Sequence, residues 1–400
     1  MSAVSLTPYR HALASRPLRT ILVLGTLVRG PVFASGVLIT VHVVTTLGHS
    51  YAAAGALAAA ATIAIAVSGP WRGRLLDRLG LRRVVLPSLL VAVVCWSIAP
   101  FVGYWPLLVL AVVAGLFVIP TFSITRQAVI ASVGEADRRT AISLDSAAVE
   151  LSFMIAPAIA VWAAAQWSTS WVLFATEMLG VLGGVLIWVV DPPLRGEGEV
   201  QVGTARVPIR TWFRLPFLAV CLAALASTLV LSGSDIGIVA TMRELDAVAQ
   251  IGLMLALWGL GSLVGGLLYG AMARSISPFW LLGGLALVTV PMALATSLWS
   301  LAAFGFLAGL LCAPTITATI DQASRIVPAA VRGEAMGWHG SFLTTGGALG
   351  APIAGLAIDR RGPPAGFVTV AVVGLLVAVA GVATQRVRRS ARARAQLSPR

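Results

Sequence analysis

The chain has 400 residues, of which 58% are hydrophobic and 11% charged, whereas about a quarter of residues are charged in soluble domains. A mean hydropathy of +0.94 is far more than one span of about 20 residues supplies, so the composition calls for many membrane spans. The formal charge of +13 rests on arginine alone, since neither Lys nor Asn occurs. That excludes a phosphate-binding loop ending in Lys, a Schiff-base lysine and N-x-[ST] glycosylation.

In chain order, Arg10, Arg16 and Arg19 precede an apolar stretch too long for a signal peptide, which predicts an uncleaved first span. Apolar segments then fall at 20–46, 51–70, 84–102, 107–133, 141–165, 171–190, 215–240, 250–271, 278–297, 301–325, 335–358 and 366–385. Each is long enough to cross about 30 Å of hydrocarbon at 1.5 Å per residue, which predicts twelve helices. Residues 191–214, rich in Pro, Gly and mixed charge, form the one long polar stretch; they separate a bundle over 1–190 from a second over 215–400. The halves repeat weakly: GLFVIPT at 115–121 matches GLLCAPT at 309–315, and Ala156-Pro157 aligns with Ala351-Pro352. The expected fold is an all-α integral membrane protein of two pseudo-symmetric six-helix bundles.

The basic residues gather at helix ends, as in Arg72, Arg74, Arg78, Arg82 and Arg83, in Arg138 and Arg139, at Arg274 and Arg332, and in the tail with Arg386, Arg388, Arg389, Arg392 and Arg394. Both termini are therefore expected in the cytoplasm of a plasma (inner) membrane, with the arginines facing anionic inner-leaflet lipids rather than nucleic acid. Cys95, Cys221 and Cys312 lie in apolar runs, and His42 and His339 lack metal-ligand spacing, so no metal or other cofactor is expected. Tryptophans concentrate at predicted span ends, as an interfacial belt does.

Between the second and third predicted helices runs Gly73-Arg74-Leu75-Leu76-Asp77-Arg78-Leu79-Gly80-Leu81-Arg82-Arg83. This G-x-L-x-D-R-x-G-x-R-R pattern resembles motif A of the major facilitator superfamily at every specified position, and with twelve spans and a central linker the resemblance covers essentially the whole chain, in the manner of bacterial drug and metabolite exporters. On its residues alone, Gly73 lets two backbones approach, Gly80 supplies a turn, and Asp77 is an acid among arginines. The resemblance implies that the loop latches the halves, with Asp77 near an Arg and near the start of the eleventh helix at Glu334 to Trp338. Ala156 and Pro157, with Gly347, Gly350, Pro352 and Gly355 on the eleventh helix, resemble the antiporter element called motif C, with alanines replacing glycines in the fifth helix.

Ionisable residues near the bilayer centre cost about 2.5–3.5 kcal/mol each on insertion scales and so mark pathways. The resemblance implies a cavity lined by helices 1, 4, 7 and 10, which carry Arg29, Arg126, Asp235 and Asp321 in turn. Depth suggests an Arg29–Glu150 pair, with Glu150, Asp235 and Asp321 as candidate proton-coupling carboxylates, and an approach of Arg126 to Asp321. Asp145 and Glu177 are expected at the interfaces. No nucleophile or metal cluster suggests an enzyme. The expected function is secondary transport of a small molecule by a monomer, with proton-coupled efflux of a hydrophobic or amphipathic compound first, and symport uptake or a non-transporting receptor as alternatives.

Overall fold

The computed structural model describes residues 7–194, 207–247, 250–272 and 275–397. Arg274 and the middle of the linker lie outside the described residues, as do the side chains of Arg388, Arg389, Arg392 and Arg394. Most of the described residues are helical and none is in a strand, with eleven helices long and apolar enough to cross a membrane and a shorter apolar one over Pro278–Leu294. Eleven of the twelve expected spans are thus helices of spanning length, and the ninth in chain order is the shorter apolar one.

Two units emerge, Met1–Val207 with Val327–Ser341, and Pro208–Ile326 with Phe342–Arg400. The first contains α1 (Thr7–Ala14), α2 (Arg16–Val41), a π turn at His42–Thr46, α3 (Tyr51–Leu79), α4 (Leu81–Ile98), α5 (Tyr104–Leu116), α6 (Thr121–Ala131), α7 (Arg138–Gln166) and α8 (Thr169–Val190). The second contains α9 (Ile209–Trp212), α10 (Leu215–Glu244), α11 (Ile251–Ala271), α12 (Pro278–Thr289), α13 (Leu298–Ile326) and α15 (Pro363–Leu397). The remaining helix, α14 (Arg332–Arg361), gives its opening residues to the first unit and the rest to the second.

Local chemistry sets the helix ends. Ser15 caps α2 by accepting from the Leu18 amide at 3.4 Å, and Ser50 caps α3 through the Ala53 amide at 3.2 Å. The fourth span, expected to be continuous over 107–133, is broken between α5 and α6, where Pro120 lacks a donor and pushes Ile119 out of the helical region. The ninth tightens into a 3₁₀ turn at Val290–Leu294, around Pro291.

In the first unit one apolar cluster gathers Leu38, Val43, Leu57, Leu107 and Leu173, and another Val28, Leu76, Val85, Ile124 and Ile187. Ile238, Met242, Met254, Leu301 and Phe367 centre one cluster of the second unit, and Leu229, Leu285, Cys312 and Val370 another. With lipid outside, such helices hold together by close packing of small residues rather than by exclusion of water. α1 docks on the first unit through His11 Nδ1 and Asp137 Oδ2 at 2.7 Å and through the Ser15 hydroxyl, which donates to the Ser132 carbonyl.

Candidate functional site

At mid-span of the first unit α2, α6 and α7 converge on a charged group sealed from the surface. Arg29 has 0% of its surface exposed; its Nη1 donates to Asp145 Oδ1 at 2.7 Å, and its Nη2 donates to the Thr125 hydroxyl. Asp145 is only 3% exposed. The expected Arg29–Glu150 pair is therefore corrected: the acid that meets Arg29 is Asp145. α7 begins at Arg138 rather than near 141, so Asp145 already lies about two turns in, away from the interface where it was expected. Five residues on, Glu150 falls on another side of α7 and is partly exposed.

Phe122 brings a second cation into the group. The Arg29 and Arg126 guanidinium carbons lie 5.4 and 5.6 Å from the centroid of its ring, within cation–π range. Phe33 meets Phe122 edge-on at 6.0 Å and Phe153 at 5.4 Å. Glu177, also expected at an interface, lies well inside α8 and accepts a hydrogen bond from the Ser35 hydroxyl of α2. His42 is buried and bonded to Thr169, and His339 is buried on the opening residues of α14.

An apolar cleft of about 580 Å³ opens between α2, α7 and α8. Gly30 and Pro31, Ala156 and Ala160, and Trp167 and Trp171 line it, and no charged side chain does. Ala156 comes within 3.6 Å of the Cβ position of Gly30, so the small residues around Pro157 pack α7 against α2. Of the matching glycines on α14, Gly350 faces the Leu229 carbonyl at close range, whereas Gly347 and Gly355 face open space, and Pro352 sits inside the helix.

The motif A residues form a second constellation in the same unit. The first N–H groups of a helix have no partner within it. Those of Gly333 and Glu334 at the start of α14 donate to Asp77 Oδ1 and Oδ2 at 2.8 and 2.7 Å, so one carboxylate caps the helix in trans and meets its positive end. Arg74 Nη2 donates to Glu334 at 2.5 Å. Gly73 makes this possible, because a Cβ there would run into the Gly333 backbone. Gly80 ends α3 at φ 78°, where a side chain is strained. Arg82 pairs with Asp191 at 3.1 Å and lies over Trp188, while Arg78 and Arg83 are exposed.

In the second unit, Asp235 is half-buried on α10 beside buried Ser234. Asp321 is buried on α13, where Arg325 Nε donates to both of its oxygens at 3.0 Å. No group of three or more metal-ligating side chains occurs among the described residues.

The family model described as Major Facilitator Superfamily matches residues 21–240 and 217–399. The chain belongs to the Major Facilitator Superfamily. It is a transporter embedded in a membrane, not an enzyme. This facilitator resembles in fold a bacterial homologue of the iron transporter ferroportin, in an outward-facing state, at TM-score 0.74 and 17% identity over 92% of this chain and 98% of that one. It also resembles the human organic anion transporter MFSD10 (TM-score 0.66, 17% identity, 91% and 99% covered). A third likeness is to the proton:xylose symporter XylE bound to 6-bromo-6-deoxy-D-glucose (TM-score 0.69, 12% identity, 91% and 94% covered). No curated protein matches the sequence.

Sequence reasoning about this facilitator missed Asp145, Thr125 and Phe122 as members of the buried group, and the Ser35–Glu177 bond. The signals were present: Phe122 and Arg126 stand four apart, and Thr125 directly precedes Arg126, a spacing that places one face of α6 toward α2.

Proposed function

We propose that this facilitator is a secondary active transporter that exports a hydrophobic or amphipathic small molecule in exchange for protons. The observation that carries this reading is the sealed Arg29–Asp145–Thr125 group with Arg126 beside the same Phe122 ring. Charges are placed inside a membrane span, where they are costly, on helices that converge at mid-span. The uncharged cleft between α2, α7 and α8 supports an apolar body on the transported molecule. With lysine absent, switching of charge falls to carboxylates and histidines, and Glu150, Asp235 and Asp321 are the proposed proton carriers. Proton coupling is named for one structural neighbour, the xylose symporter. The proposed setting is the inner membrane, with both termini cytoplasmic, anionic lipids against the arginines, and a monomer as the working unit.

Symport uptake is the competing direction, because buried arginines and aspartates also suit a polar solute. Flux of radiolabelled candidates in proteoliposomes under opposed proton gradients tests the reading. Export driven by an inward proton gradient is expected; uptake driven by that gradient reverses the direction, and binding without counterflow points to a receptor.

A further inference from the structure

We propose that Arg126 binds an anionic group of the transported molecule, which makes the substrate an amphipathic anion. The proposal rests on the transport reading above and narrows its substrate class.

The argument begins with charge. Arg29 and Arg126 both lie within cation–π range of one aromatic ring, and Asp145 is an acid that pairs with Arg29 and acts electrostatically on Arg126. That single carboxylate is committed to Arg29 at 2.7 Å, with side chains 0% and 4% exposed. Arg126 itself is 7% exposed, and no carboxylate among the described residues of the first unit reaches ion-pair distance of it. The sealed group thus holds two guanidiniums and one carboxylate. A guanidinium does not shed its proton, so the excess positive charge cannot be removed by titration. An unpaired charge in a span is costly, and an arriving anion relieves that cost.

Hydrogen bonding gives the same answer independently. Three other polar side chains of α6 are occupied: the Thr125 hydroxyl donates to the Thr121 carbonyl at 2.8 Å, Gln127 donates to Ser123 at 3.2 Å, and Ser123 donates to the Gly333 carbonyl at 3.3 Å. Arg126 has no hydrogen-bond acceptor among the described residues of the first unit. Its planar fork matches a carboxylate or sulfonate bidentately, and Phe122 beside it offers an apolar face to the body of the same molecule.

The test uses the full chain in phosphatidylcholine nanodiscs and calorimetric titration, with empty discs subtracted. The probes are naphthoate and decanoate, each against its uncharged amide. The expected result is an affinity at least about tenfold higher for each anion than for its amide, as one charge-assisted hydrogen bond supplies. Arg126→Gln should abolish that preference. Arg126→Lys keeps the charge without the fork and serves where the Gln variant fails to assemble; it should weaken the anions and leave the amides unchanged. Equal binding of anion and amide, binding of neither anion, or an anion preference untouched by either variant overturns the proposal. Competition by phosphatidylglycerol added to the discs overturns it too, by assigning the anion to a lipid headgroup. Counterflow separates the two readings. Arg126-dependent anion binding without counterflow supports the site and overturns transport, and naphthoate counterflow that survives Arg126→Gln overturns the site and keeps transport.

Discussion

Arg29→Leu and Asp145→Leu, made singly and together, measure what the sealed pair contributes. Both side chains are almost entirely withdrawn from the surface and meet at 2.7 Å, and Arg29 is held further by Thr125. Removing Asp145 leaves Arg29 buried beside a second cation, and removing Arg29 leaves Asp145 without an ion-pair partner, with Arg126 acting on it only at longer range; either change costs about 3–5 kcal/mol. Independent effects would then sum to about 6–10 kcal/mol in the double variant. Removing both leaves neither half of the pair orphaned; Arg126 loses the attraction of Asp145 and the repulsion of Arg29 together, and two leucines fill much of the space, so the double variant should lose only about 0–2 kcal/mol. The expected coupling is therefore at least about 4 kcal/mol, and reversible unfolding in mixed micelles followed by tryptophan fluorescence reads it. Single losses below about 1 kcal/mol, or a double loss equal to the sum, would refute the reasoning, since water or another charge would then be sharing the site.

Asp77→Asn keeps one acceptor but loses the charge that meets the start of α14; it should cost about 1–2 kcal/mol and speed amide exchange at Gly333 and Glu334 while leaving exchange in α8 unchanged. Gly73→Val should destabilise by more than about 2 kcal/mol, because its side chain meets the Gly333 backbone rather than a movable side chain; a wild-type thermal midpoint would contradict that packing. Burial pushes the Tyr9 phenol from 10.0 up to about 12, against an opposing pull from Arg139. A folded value above the unfolded one means that the contribution of Tyr9 to stability is complete below about pH 10 and is lost as pH rises through about 12. Tyr9→Phe should remove that step from a pH titration of the thermal midpoint.

The fold was legible because lipid imposes a coarse rule: every span must be long, apolar and helical, so hydropathy alone marks twelve segments in the sequence, eleven of which are helices of spanning length. Helix ends were less legible, since proline acts locally; Pro120 divides a segment that hydropathy treats as continuous. The motif A contacts were legible through the family pattern, but their physics was not, because the carboxylate of Asp77 works through two backbone N–H groups more than two hundred residues away, which no side-chain pattern marks. The buried group shows the sharper limit. Sequence placed Arg29 in the middle of its helix, yet position along a helix cannot choose between Asp145 and Glu150, which differ by about 7.5 Å along α7 and by about 140° around it. Rotation decides, and rotation depends on where the helix starts and on which face carries small residues against its neighbour. Ala156 and Ala160, which line the cleft with Gly30 and Pro31, fix that face for α7; with the helix beginning at Arg138, Asp145 then points at Arg29. Ala156, 3.6 Å from the Cβ position of Gly30, packs α7 against α2 beside Arg29, so enlarging it should disturb the Arg29–Asp145 pair without touching either residue, read as a loss of the coupling energy between them.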